Sequence, residues 1–473
     1  MAKRIFTVEN VYLLAAAAIA AVLLLGKTFV GVADNGDFLR IMGTAGLNYG
    51  NAAESFEERF FSYSHSRFAY DSFFRGFYLS SQIALVVAAR FVGKLLNSEY
   101  FDIRVVGVFY TLLHLAAGYL IIKWNKSEFA VANVLFAGLM LIVFMDIAYL
   151  AYFNSLYGEP VSLVFMLLAL ALALMISRSE APSRLMLALF FAAAIFLACS
   201  KTQNAPIGIG FALIGLRFLR LRRDRSWRKL ALVLTGTTML ASLVMYVAAP
   251  GDFKRINLYQ TVFFGILHES PDVEGDLKTL GLPPHLSVLA GTNYFQKGTA
   301  IPQNDPSLEG DFYSRISHFD VLAYYAAHPG RLLDKLEYAA NYSMEIRPYY
   351  LGSYEKSEGK PPRALSFQFS GWSEFKRHVI PNELWFVAGF FVLFFAGAVY
   401  EWARADAERK RAAAELFALL GLTGVFSFMI PVLGDGVADL SKHLFLFNVV
   451  FDMMAVTSAV WLLFKASALL RKI

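Results

Sequence analysis

Apolar residues in this chain come in long runs broken by short polar connections. A membrane-crossing helix needs about 20 predominantly apolar residues. Ten segments approach that length: 10–32, 104–122, 130–150, 159–177, 185–200, 205–219, 230–249, 383–400, 414–432 and 443–464. An eleventh apolar segment, 78–97, carries Arg90 and Lys94 on one side of its helix. That pattern suits a helix lying in the membrane interface better than one crossing it. The expected fold is an all-α polytopic membrane protein: about ten transmembrane helices, interfacial helices in the first external loop, and a small external lobe.

Composition points the same way. Hydrophobic residues make up 57% of the chain and charged residues only 17%, against roughly a quarter charged in soluble domains. The net charge of +6 matters less than where the basic residues fall, and a nucleic-acid partner is not expected. With a single cysteine, Cys199, no intramolecular disulfide can form. The opening "MAKRIFTVENVYLLAAAAIAAVLLLGKTFVGVA" has a basic start and an apolar run too long for a signal-peptide core, so it reads as an uncleaved first helix.

The basic residues orient the bundle. If 78–97 lies flat, Lys3, Arg4, Lys123, Lys126, Arg178, Arg184 and the run "RFLRLRRDRSWRK" share one side with Arg404, Arg409, Lys410, Arg411, Lys465, Arg471 and Lys472. The short loops of the other side then carry only Lys201 and Lys442. The positive-inside rule places both termini in the cytoplasm. The chain divides into an N-terminal module, 1–249, with a first external loop at 33–103; an external lobe at 250–382; and C-terminal helices at 383–473. Within the lobe, "GLPPHLSVLAGTNYFQKGTAIPQNDP" reads as loop and "VLAYYAAHPGRLLDKLEYAANYS" as mostly helix.

This topology sorts the polar residues. Asp34 and Asp37, in "GVADNGDFLRIMG", end the first helix on the outer face, with Arg40 three residues on. Asp146 closes the third helix, and Glu159 opens the fourth. Lys201 and Gln203 follow the fifth, and Asp435, Asp439, Lys442 and His443 lie between the last two. Ionisable groups at a membrane boundary cost little, so their clustering is the informative feature. Each also has a plain structural reading. Loop acids can be merely solvated, Glu159 can complement a helix dipole, "DNG" can be a turn, and Lys201 can snorkel. There is no Walker A pattern, paired CxxC or HExxH, and "GIGFALIG" fits helix packing better than phosphate binding.

A first helix ending in an acidic external motif, then a loop with interfacial helices, resembles the GT-C superfamily of integral-membrane glycosyltransferases. "ADNGDF" occupies the place of that superfamily's acidic fingerprint. "FDIRVVGVFYTLLHLAAGYLIIKW" resembles its arginine-headed second helix, "FNSLYGEPVSLVFMLLALALAL" its entry into the fourth, and "YYAAHPGRLLDK" a histidine-proline helix start. "NLYQTVFFGILHESPDVEGDLKTLGLPPHL" is similar to a stretch in bacterial hexose transferases of cell-surface glycans, including S-layer glycan assembly. One departure is that Asn35 and Gly36 separate acids that are adjacent in many relatives.

The resemblance implies a polyprenyl-phosphate sugar donor, a glycan or glycolipid acceptor, and an active site on the external face of the cytoplasmic membrane. Asp37, or alternatively Asp34, is then the catalytic base of an inverting displacement. Lys201, Arg67, Arg347, His443 and Arg40 are candidates for the donor phosphate. Glu159, Gln203, Asp435, Asp439 and Lys442 would contact substrate. No metal ligand is assigned, although a divalent metal remains compatible with the pattern. The alternatives are a non-catalytic flippase or transporter, and a glycan polymerase or ligase using a diphosphate-linked lipid.

Overall fold

The computed structural model describes residues 6–470, so Lys3, Arg4, Arg471 and Lys472 lie outside the described residues. The protein is a mostly helical membrane-type bundle. Each of the ten apolar segments contains a helix: Val8–Leu24, Arg104–Trp124, Ala130–Phe144, Glu159–Arg178, Arg184–Ala198, Ala205–Arg217, Arg225–Val247, Leu384–Arg404, Glu408–Asp435 and Phe445–Leu470. Among the described residues, six are long and apolar enough to cross a membrane alone, and a bent pair within 130–154 makes a seventh. Val8–Leu24 and Arg184–Ala198 are shorter apolar helices.

Glu159–Arg178 is the axis of the bundle. Its membrane-length window is wholly enclosed by protein, as expected of a helix that is apolar on all sides. Glu159 stands at one end and Arg178 at the other. Among the short connections between helices, those at the Arg178 end carry most of the basic residues; there Lys126 pairs with Glu9 at 2.9 Å and Arg217 with Glu408 at 2.6 Å.

Two helices are shorter than the apolar runs that predict them. The first ends at Leu24 rather than near 32. Beyond it, β-branched Val30 and Val32 flank Gly31, and the backbone runs extended. Gly31 N donates to Ser353 O at 2.9 Å and Ala33 N to Gly352 O at 2.8 Å. The chain therefore leaves the helix early and pairs with the 250–382 lobe, which carries "ADNGDF" to the lobe's inner edge. The 130–150 segment breaks before Asp146 and bends by 50°. There the Asp146 side chain accepts from Ala148 N at 2.8 Å and caps a new short helix.

The 33–103 loop is not wholly helical. Besides Phe38–Ala45 and Gln82–Leu96 it holds a three-stranded antiparallel sheet, β1 (Leu47–Tyr49), β2 (Arg67–Tyr70) and β3 (Tyr100–Asp102), in the order β1-β2-β3. Arg90 of the Gln82–Leu96 helix is buried. Its Nε donates to Gly46 O at 2.9 Å, and its guanidinium lies 4.2 Å from the Phe73 ring centroid. In the lobe, Leu258, Phe263, Leu286, Phe312 and Tyr325 belong to a core of their own, while Ala340, Met344, Ile346 and Leu351 pack into the core of the bundle. The predicted helix from 321 onward is two helices, His318–Ala327 and Pro329–Ala340, divided at His328 because proline opens the second.

Candidate active site

The turn "DNG" separates the two aspartates into different roles. Gly36 has φ +106°, a conformation side chains rarely adopt, and it reverses the chain between them. Asp34 is fully enclosed. Its Oδ1 accepts from Gly36 N at 2.7 Å and Phe38 N at 3.0 Å, and its Oδ2 accepts from Tyr49 Oη at 2.7 Å. It ties the turn, the start of the Phe38–Ala45 helix and strand β1 together. Burial pushes its carboxyl up to about 6 against the hydrogen bonds from Tyr49 and Phe38.

Asp37 differs: its side chain keeps 34% of its surface open. Lys442 holds one oxygen, and Arg40 donates to the other at 2.9 Å. Burial raises its carboxyl, but the charges of Lys442 and Arg40 outweigh that and hold it below the ordinary carboxylate range. Lys442 is nearly enclosed, and its ammonium lies 4.5 Å from the Tyr157 ring centroid. Burial alone would lower it, and Asp37 with its fellow acids raises it instead.

Asn35 is the bridge that sequence reading treated only as a spacer. Its Oδ1 accepts from Lys442 Nζ at 3.2 Å, its Nδ2 donates to Asp439 Oδ2 at 3.3 Å, and its N donates to Tyr157 Oη at 2.8 Å. Asp439 also accepts from Tyr350 Oη of the lobe. Its backbone is left-handed, at φ 44°, which aspartate tolerates better than most residues. Gly436 is required where the chain passes Gln260, since a Cβ there would stand 2.6 Å from Gln260 O.

Two further pairs adjoin. Lys201 is bonded to Glu159 at the head of the axial helix. His443 Nε2 lies 3.1 Å from Asp435 Oδ2, and Asp435 Oδ1 accepts from Gln260 Nε2 at 3.1 Å. His443 Nδ1 lies 3.3 Å from Gln203 Oε1, completing the join between 203 and 443. Asp34, Asp37, Arg40, Glu159, Lys201, Gln203, Asp435, Asp439, Lys442 and His443 thus belong to one end of the bundle, in linked pairs.

Two predicted residues stand apart. Arg67 is exposed on β2 with its guanidinium 4.4 Å from the Tyr100 ring centroid, and it makes no contact with the Asp37 group. Arg347 is buried in the lobe; its Nη2 donates to Ser366 O at 2.5 Å, while Nε and Nη1 have no protein partner. Sequence reading missed Tyr49, Tyr157, Gln260 and Tyr350. Tyr157 lies two residues before Glu159, inside the "FNSLYGEP" turn that enters the fourth helix. Among the described residues, no group of three or more His, Cys, Asp or Glu side chains is placed to hold a metal ion.

The fold and this cluster define an integral-membrane helical protein whose acids and cations converge at one end of its bundle. The chain belongs to the family described as the YfdI N-terminal transmembrane domain, whose model matches residues 1–472. YfdI is a GT-C-like membrane glycosyltransferase, so the broad class anticipated from the sequence is met, while the narrower hexose transferase family is not reached by this match. No curated protein matches the chain.

Proposed function

We propose that the protein is a membrane glycosyltransferase that moves a hexose from a polyprenyl-phosphate donor to a cell-surface glycan or glycolipid acceptor. Membership of the YfdI family supports the class. The observation that carries the assignment is Asp37: an ionised carboxylate, a third open, with cations on both of its oxygens.

In this reading Asp37 accepts the proton of the acceptor hydroxyl as that oxygen attacks the anomeric carbon. The new carbon–oxygen bond forms as the bond from the anomeric carbon to the phosphate oxygen breaks, and its electron pair leaves with the lipid phosphate. One displacement inverts the centre. The leaving phosphate already carries charge, so no acid is needed to protonate it, and Lys201 and Arg40 stabilise it instead. Asp34 shapes the turn that presents Asp37. Asp439, Tyr350 and Asn35 fix the position of Lys442 and hold the lobe against the site. The active site lies on the external face of the cytoplasmic membrane, with both termini cytoplasmic.

The test is transfer by the purified chain from a polyprenyl-phosphate hexose, with the product anomer read by NMR. Inverted product that disappears in Asp37→Asn, with the variant still cooperatively folded, is the expected result. Movement of labelled lipid without covalent product would replace this reading with a flippase.

A further inference from the structure

A large cavity lies at the other end of the bundle. It has a volume of about 1720 Å³ and lies between the axial helix and the helices at 104–124, 130–144, 384–404, 408–435 and 445–470. Ligand pockets for small molecules run to about 1,000 Å³. The inner wall is apolar, including Phe136, Phe144, Leu170, Phe394 and Met453. Its mouth is at the Arg178 end of the axial helix. That is roughly 29 Å from Glu159 at 1.5 Å per residue, so this space is separate from the Asp37 cluster.

The mouth is built differently from the wall. Trp124, Tyr400 and Trp461 ring it, as aromatic side chains do at the depth of lipid headgroups. Among the cations lining it, Lys410 pairs with Asp406 and Lys465 with Glu401, while Arg404 lies 5.0 Å from the Tyr400 ring centroid. Arg178, Arg220 and Arg409 also line the cavity, and among the described residues none has a carboxylate within salt-bridge distance. Unpaired guanidinium groups at the rim of a hydrocarbon-lined space call for an anionic head on an apolar tail.

We propose that this cavity binds one anionic phospholipid, drawn from the leaflet opposite the Asp37 cluster. Its acyl chains lie between the helices, and its phosphate lies against Arg178, Arg220 and Arg409. The inference does not depend on the glycosyltransferase reading.

Native mass spectrometry of the full chain in detergent tests it, with phosphatidylglycerol, phosphatidylethanolamine and a polyprenyl phosphate offered in turn. Each arginine near the headgroup plane adds about 1 kcal/mol of attraction. The wild type is therefore expected to retain one phosphatidylglycerol about tenfold or more tighter than phosphatidylethanolamine. Combined Arg178→Ala, Arg220→Ala and Arg409→Ala should erase that preference. Gly397 lines the cavity, and a Cβ there meets nothing within 4 Å; Gly397→Phe should fill the space and lower retention of every lipid. A melting temperature near wild type in lipid-free detergent shows that each variant folds, and Gly397→Leu serves if the phenylalanine variant does not. Equal retention of both phospholipids, a preference that survives the triple change, or a preference for the polyprenyl phosphate would each overturn the proposal.

Discussion

Two lysine–carboxylate pairs, built from distant parts of the chain, make opposite use of the same chemistry. Lys376 and Asp452 are both fully enclosed and 2.5 Å apart. The second oxygen of Asp452 accepts from Tyr149 Oη at 2.7 Å and Trp372 Nε1 at 2.8 Å, and Lys376 also reaches Asn448 O at 3.4 Å. Asp146 caps the helix carrying Lys376 by accepting from Trp372 N and Ser373 N. Every strong group there is matched, so the pair clamps the lobe onto the Phe445–Leu470 helix. In the other pair Lys442 is enclosed and Asp37 is not. An ionised carboxylate offers about four lone-pair directions, and the two cations leave some free for a ligand. Saturation marks the clamp; unused acceptor capacity marks the site where chemistry is proposed.

The comparison breaks most visibly at the clamp. Removing one partner of a buried pair costs about 3–5 kcal/mol, so Lys376→Met or Asp452→Asn should sharply reduce folded yield and lower the denaturation midpoint. Lys376→Met with Asp452→Leu should recover most of that loss, because apolar replacement of a whole buried pair is often tolerated. At Lys442 the expected loss is in turnover instead. Lys442→Met removes the main charge holding Asp37 low, so its carboxyl rises, and the acid limb of the pH–rate profile should move to higher pH. An unmoved limb would remove Asp37 from the rate-determining ionisation.

A smaller effect is expected from Asp34. Its carboxyl, near 6 when folded, binds its proton more tightly than the ordinary value of about 3.9 in an unfolded chain. Between about pH 4 and 6 the folded state therefore holds more protons, and this group's contribution to stability falls as pH rises. Asp34→Asn should flatten that slope in melting temperatures taken across the interval. The smallest change is expected at Arg67, exposed on β2. Arg67→Ala should alter stability by about 0.5 kcal/mol or less and leave turnover near wild type. A large loss of turnover would return Arg67 to the phosphate site.

The helices were legible because apolar runs of membrane length leave few other folds. The convergence of Glu159, Lys201, Asp435 and Lys442 was legible too, because alternating helices bring every second connection to one end. The division of labour between Asp34 and Asp37 was not, since it depends on Gly36's left-handed backbone and on Tyr49, a strand residue in a loop expected to be helical. Val30–Ala33 looked helical by apolarity alone, yet its amides pair with the lobe some 320 residues on. Asp452 was overlooked inside "FNVVFDMMAV", although an acid within a span is itself a signal. Its partner Lys376 sits in the lobe, and no local pattern links the two. His114, a rare polar residue within a span, has its Nε2 2.9 Å from Phe144 O, at the break in the bent helix.

The division between the two aspartates is tested most directly by measuring turnover and melting temperature together for Asp37→Asn and Asp34→Asn. Losing a general base costs about 10²–10⁴-fold in rate, and losing a cap costs about 1 kcal/mol of stability. Asp37→Asn should therefore stay folded but lose turnover by that factor, with some loss of melting temperature because the enclosed Lys442 keeps no full charge partner, while Asp34→Asn should melt lower and retain the larger share of its activity. An Asp37→Asn protein that still transfers hexose within a few-fold of wild type would contradict the account.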